Sequence, residues 1–361
     1  MSDGYVKDVS GLIALSDARE MPFETQEGLI TPNDRFFICH EAPTPVVAAD
    51  GWRLSVEGDA VSIPLSLSLS NLEAMEQVEL GAVIECAGNH RRLFEDVMGE
   101  PLDRRPDVTE IRWRLGGVGM AGWRGVRLGD VLTLAGIAGD AHHVMPVGLD
   151  RGKEDDDGIR IPLPADKALH PDTLIALRMN GEPLPADHGF PARLVVPGWV
   201  GTYSIKWLER IEVTRRHLWV KRNTEMYVLM GEAWQGEGHG PARGPNVTKH
   251  PIRSSLALAW PARLAPGPQR LRGYARGAED AIVRVVWSAD RGATWRDADL
   301  MSPSERYAWV EFAFAWQATP GEHVLMTRAF DAAGEAQLLT QPFNDGGYVF
   351  SMVHPHPVTV G

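Results

Sequence analysis

The chain has 361 residues, of which 44% are hydrophobic and 23% charged, the composition of a folded globular protein and long enough for two domains. Lys and Arg number 36 against 48 Asp and Glu, a net charge of −12 that argues against nucleic acid as a partner, and no apolar run is long enough to span a membrane. Two cysteines, Cys39 and Cys86, exclude a disulfide scaffold, a four-cysteine zinc site and an iron–sulfur cluster. The first residues, Met1 to Gly11, lack a basic stretch followed by an apolar one, so the chain is expected to be cytoplasmic.

In chain order, Gly51–Gly58 alternates Trp52, Leu54 and Val56 with polar residues and predicts a half-buried strand. Leu80–Cys86 predicts a second strand that runs directly into Ala87-Gly88-Asn89. From Val126 to Ile137 the positions Leu128, Val131, Leu132 and Ala135 follow helical spacing, with Gly136 as the stop. Ala192–Val196 and Ile205–Val213 predict buried strands separated by the loop Gly198–Gly201. The segment Gln235–Pro245, with four glycines and two prolines, has the composition of a linker. Beyond it, Ile282–Trp287, Tyr307–Trp316 and Glu322–Phe330 predict strands separated by turns at Asp290-Arg291-Gly292 and Asp331–Gly334. The expected fold is therefore α+β, a mixed domain over residues 1–240 followed by an all-β, immunoglobulin-like sandwich over 241–361.

The segment Glu85-Cys86-Ala87-Gly88-Asn89-His90-Arg91-Arg92 carries the most chemistry. A strand delivers a thiol to its end, small residues allow close approach to the backbone, and three basic side chains follow. Neighbouring positive charge favours thiolate, the ligand of soft metals; a buried cysteine with solvent-facing arginines is the bland alternative. Asp187-His188-Gly189-Phe190-Pro191-Ala192-Arg193, then Val196-Pro197-Gly198, then Ser204-Ile205-Lys206-Trp207-Leu208 follow downstream.

Taken together these segments resemble the sulfite oxidase family of molybdenum-cofactor enzymes, in its bacterial form without a haem domain. There a strand ends in Cys-Ala-Gly-Asn-Arg-Arg and is followed by Asp-His-Gly-x-Pro-x-Arg, Val-Pro-Gly and Lys-Trp-Leu. Asn33–Pro45 is similar to the family's Phe-Phe-Val-Arg-Asn-His-x-Pro-x-Pro segment, so the resemblance covers almost the whole chain. It implies molybdenum bound by Cys86 and a molybdopterin held by His188, Arg193 and Lys206, by Phe37, Ile38, Cys39 and His40, by Ser204 and Ile205, and by Asp150. It implies Arg91 as the residue that orients a small substrate, an external electron acceptor, and a homodimer formed through the sandwich. The chain departs from the pattern where Cys39 replaces an arginine, Glu41 a histidine, Asp157 a tyrosine and Gly346 an arginine. Each lost guanidinium removes charge-assisted hydrogen bonds of about 1.5–3 kcal/mol from a bound anion, so the resemblance reaches the cofactor but not sulfite itself.

Other features suggest plainer roles. His142-His143 and His354-Pro355-His356-Pro357 lack a third ligand at metal-like spacing and are expected at the surface or at strand ends. The acidic run Glu154–Asp157 is expected to be a solvated loop at the lip of the site, and Trp287, Trp295, Trp309 and Trp316 to pack the sandwich and its interface. Two other functions fit the same residues: a thiol hydrolase with Cys86 as nucleophile, His188 as base and Asp187 as orienter, or a non-catalytic interaction protein of the same fold.

Overall fold

The computed structural model describes residues 5–152 and 157–361. Its first half is built on two sheets joined by short helices. One sheet runs in the order Glu182–Pro183, Leu174–Met179, Val118–Arg127, Val78–Glu85, with Arg193–Val195 also paired to Leu174–Met179, and every pairing is antiparallel. The other runs Leu65–Leu67, Leu54–Glu57, Leu208–Thr214, His143–Gly148, Leu163–Pro164; its one parallel pairing, Leu54–Glu57 with Leu208–Thr214, makes it mixed. Alternation along Leu54 and Val56, both fully buried, places the strand where the sequence pattern puts it.

The expected helix over Val126–Ile137 is shorter than its periodicity suggests. Val126 and Arg127 finish the strand Val118–Arg127, and the helix occupies only Leu128–Leu134. Gly125 explains the strand's persistence: a Cβ there would lie 2.0 Å from the Ile175 carbonyl oxygen, so the backbones of the two strands press together. Gly136 takes φ +64 after the helix, the left-handed turn its stop role requires.

The second half contains two facing sheets. One is ordered Arg253–Leu256, Gly267–Arg276, Trp309–Ala318, Asp299–Leu300; the other Ala262–Leu264, His356–Val360, Gly321–Asp331, Ile282–Ser288, Arg296–Asp297. Val310, Phe312, Phe314 and Trp316 all enter the core between them, with Phe314 stacked on Trp287 at 4.3 Å. The strand Gly267–Arg276 pairs with Trp309–Ala318 over ten positions, although its arginines and glycines conceal it in the sequence. His354 and His356 are buried at 5% and 2%, deeper than a surface assignment allows. A third apolar cluster joins the two halves, where Phe23 packs edge-on against Tyr274 and Trp309.

A buried ion cluster reinforces this junction. Glu85, on the last position of its strand, pairs with Arg253 and Arg276 from the sandwich, and His250 stands 3.9 Å from its carboxylate. Cys86, the next residue, is thereby anchored to both halves. Among the described residues no helix is long and apolar enough to cross a membrane.

Candidate active site

Strand, turn and helix follow one another around Cys86. The strand Val78–Glu85 ends, the Cys86 amide bonds the Gly117 carbonyl at 2.9 Å, and the chain turns through Asn89, whose amide bonds the Cys86 carbonyl at 2.9 Å, into the helix Arg92–Met98. Asn89 holds the turn from its side chain, donating to Glu85 at 2.7 Å and accepting from the Gly117 amide at 3.0 Å. Gly88 lets the Arg91 guanidinium pack close, since a Cβ there would meet it at 2.6 Å and push it aside.

A cleft of roughly 800 Å³, including its open mouth, collects the expected residues. Its walls include Phe37, Ile38, Cys39, His40, Cys86, Asp150, His188, Arg193, Ser204, Ile205 and Lys206, drawn from five separate segments. All of the cofactor-binding candidates therefore meet at one place. Arg91 does not line it: its guanidinium packs against Gly88, donates to the carbonyls of Ile111 at 2.8 Å and Gly347 at 3.3 Å, and lies 5.2 Å from the Tyr348 ring. From there its charge still favours the Cys86 thiolate.

The two cysteines face each other. Interaction between the two thiols, with the Arg91 charge, pulls the Cys86 pKa down against the effect of burial, and the same interaction with burial pushes Cys39 well up. Cys86 is thus the thiolate of the pair, the form that binds metal.

The cations of the cleft are held by neutral groups. Arg193 is buried and donates to three carbonyl oxygens, those of Ser204 at 3.0 Å and of His188 and Leu194 at 3.3 Å, with no carboxylate on it among the described residues. Burial lowers its pKa to about 9. Lys206 Nζ donates to the Cys39 and Asp187 carbonyls and approaches His40 Nδ1, each at 3.2 Å, and burial lowers it to about 8. Asp150 and Asp187 act on Lys206 through space, but among the described residues no carboxylate pairs directly with Lys206 or Arg193, and a phosphate-bearing ligand could take that place. Two buried polar atoms on these walls, His188 Nε2 and Asp150 Oδ1, have no protein partner. Burial holds His188 neutral and raises the Asp150 carboxyl. Orphaned donors and acceptors of this kind suit the edge of a pterin ring, so the residues present fit a molybdopterin.

Three residues of the site were not legible in sequence. Arg222, 2% exposed, and Tyr227 enter the cleft from the segment after the second sheet. Arg222 forms a two-pronged pair with Glu41 at 2.9 and 2.6 Å, so the guanidinium is met by the carboxylate that replaces the family's histidine. Lys7 lies behind the wall, its ammonium bonded to the Phe36 and Asn33 carbonyls at 2.5 and 3.0 Å. Asp157 pairs instead with Arg160 at 3.1 Å and is largely exposed, while Glu154–Asp156 lie outside the described residues. Gly346 packs on the Tyr348 ring, away from the cleft. The Asp187 carboxylate accepts a hydrogen bond from Thr44, and among the described residues no carboxylate bonds the His188 ring, so the orienting acid a thiol hydrolase relay needs is not in place.

Residues 41–219 match the oxidoreductase molybdopterin-binding domain family. The sulfite oxidase of Gallus gallus is 32% identical over 326 residues, 86% of this chain and 68% of its own. The mitochondrial sulfite oxidase of Mus musculus is 32% identical, covering 85% of this chain and 58% of its own, and the sulfite oxidase of Arabidopsis thaliana 29% identical, covering 85% and 82%. The chain thus spans about 58% of the length of the mitochondrial relative. Among solved structures, the sulfane dehydrogenase SoxCD from Paracoccus pantotrophus superposes with a TM-score of 0.81 over 99% of this chain and 90% of that one, at 23% identity, a likeness in fold.

Proposed function

Because the chain belongs to the sulfite oxidase family of molybdopterin-binding oxidoreductases, we propose that it oxidises a small sulfur-containing substrate other than sulfite and passes two electrons to an external acceptor. The molybdenum centre, when bound, supplies oxygen-atom exchange, the oxygen coming from water overall with release of two protons and two electrons. Cys86 holds the metal by its thiolate. Arg193 and Lys206 neutralise the cofactor's phosphate, while His188 and Asp150 offer the pterin their unpartnered atoms. Arg91 acts from behind the turn, favouring the Cys86 thiolate rather than touching substrate.

The observation that carries this reading is the pair of buried cations, Arg193 and Lys206, bonded to backbone carbonyls and, among the described residues, in no direct carboxylate pair, in the same cleft as Cys86. The choice against sulfite rests on Arg222: the carboxylate of Glu41 occupies both faces of its fork, and a divalent anion entering the cleft would meet that carboxylate too. Metal analysis of purified protein tests the cofactor, with about one molybdenum per chain expected and none in Cys86→Ala. Full molybdenum in that variant would end the assignment of the ligand. Turnover assays with sulfite and with uncharged sulfur compounds, using an artificial electron acceptor, test the substrate; brisk sulfite oxidation would end that part of the proposal.

A further inference from the structure

His142-His143 acquires in three dimensions the third ligand it lacks in sequence. The strand His143–Gly148 pairs with Leu208–Thr214 so that His143 lies opposite Thr214, and the chain continues three residues to His217. Ring centroids of the three histidines are 4.5 to 4.7 Å apart, and one ring nitrogen from each lies within 4.8 Å of the other two. We propose that this cluster binds one divalent ion of the imidazole-preferring class, Zn²⁺ or Cu²⁺, with water completing the coordination.

Several observations support a built site rather than a chance meeting of rings. His143 is buried and fixed by the Leu218 amide, which donates to its Nδ1 at 2.9 Å. His217 packs against Trp219, the ring centroids 4.2 Å apart and tilted by 31°. His143 is therefore held in place, and the exposed His142 and His217 are the arms that close. Tetrahedral zinc, with bonds of about 2.0–2.1 Å, needs nitrogens about 3.4 Å apart, a contraction that rotation of the two exposed rings supplies. Binding through His143 Nδ1 displaces the Leu218 amide, and binding through Nε2 moves the ring proton to Nδ1 and breaks the same hydrogen bond, a cost that lowers the affinity. The two arginines that precede His217 have acidic partners: Arg215 pairs with Asp140 at 2.9 Å and Arg216 faces Asp59 at 3.8 Å. The cluster sits at the end of the strand pair opposite to Asp150 and Lys206, so it is separate from the cleft.

The test is calorimetric titration of tag-free, cofactor-loaded protein with Zn²⁺, with Mg²⁺ as the control cation, and visible absorption with Co²⁺ as a geometric probe. One Zn²⁺ per chain beyond the magnesium level is expected, with the ligand-field absorption of nitrogen-bound Co²⁺. His142→Ala and His217→Ala, both at exposed positions, should each weaken binding at least tenfold without changing molybdenum content. The cleft thiols are the competing site, so a Cys39→Ser/Cys86→Ser chain should still bind one Zn²⁺. The proposal is overturned by zinc uptake no greater than that of magnesium, by uptake unchanged in both histidine variants, or by its loss in the double cysteine variant.

Discussion

Glu85→Gln replaces one carboxylate oxygen with an amide and leaves the shape of the side chain intact. It removes the negative charge that Arg253 and Arg276 share, and both guanidinium groups are about 5–6% exposed, with no other acid on them among the described residues. Arg253 also donates to the Phe350 carbonyl and Arg276 to the Pro251 carbonyl at 3.1 Å, so the two arginines keep hydrogen bonds but lose their counter-charge. Breaking a buried pair in this way costs about 3–5 kcal/mol, because an uncompensated charge stays in the interior. An unfolding entropy of about 2.1 cal/mol/K per residue gives roughly 0.76 kcal/mol/K for this length, so the melting temperature should fall by about 4–7 °C in one cooperative transition. Scanning calorimetry of wild type and variant measures the shift. Glu85→Gln/Arg276→Met, which takes out a stranded charge, should recover about half of it. Since Cys86 is the next residue, its thiol should also react faster with a bulky reagent in the single variant. A melting temperature within about 1 °C of wild type, or a double variant worse than the single, would refute the idea that Glu85 is the charge that closes this junction.

Acid should destabilise the sandwich and its junction before most carboxylates titrate. Burial lowers His250 and His354 to about 3 and His356 to about 4, while the unfolded chain protonates them near 6.5. The unfolded state therefore binds more protons below about 6.5, and stability falls as pH drops, by up to about 4 kcal/mol per pH unit for three groups. Urea melts at pH 7.5, 6.5 and 5.5 measure this, and a stability that is flat or rising toward pH 5.5 contradicts it. At the cleft, Glu41→Gln removes one carboxylate charge beside Arg222 and should tighten inhibition by sulfate or sulfite about tenfold or more, the equivalent of at least about 1.5 kcal/mol for a charge-assisted bond. Unchanged inhibition constants would show that Arg222 does not face bound anions.

Local signals carried much of this molecule. Cys86 could be placed at a strand end because an apolar run meets Ala-Gly-Asn, and the structure ends the strand at Glu85, one residue earlier. Gly136 stopped its helix where expected. The failures share a physical cause, which is that the deciding contact lay far along the chain. Val126 reads as helical by its spacing with Leu128 and Val131, yet Gly125 presses against Ile175, and that ladder claims the residue for a strand. Gly267–Arg276 reads as polar, but it needs only one apolar face, and Leu271 and Ala275 supply it to the sandwich core. His217 stands 74 positions beyond His143, so only strand pairing could reveal the three-histidine cluster.

The charge of the cleft is the clearest case of information that spacing does not hold. Sequence shows His188, Arg193 and Lys206 close together and suggests an anion site, which the cleft reproduces. It also shows an arginine missing at Cys39 and suggests a site poor in guanidinium. Folding changes that balance from two directions. Arg222, 183 residues beyond Cys39, is brought to the wall, and Glu41, two residues after it, is brought to Arg222 and neutralises it. Lys7 adds an ammonium beneath Phe36, where burial lowers its pKa to about 7. Arg193 and Lys206 thus have no direct carboxylate pair among the described residues, whereas Arg222 is paired with Glu41. On the function proposed above, Arg193 and Lys206 would attract the cofactor's phosphate while Glu41 offsets Arg222, so the family's cofactor could be kept while the substrate changes.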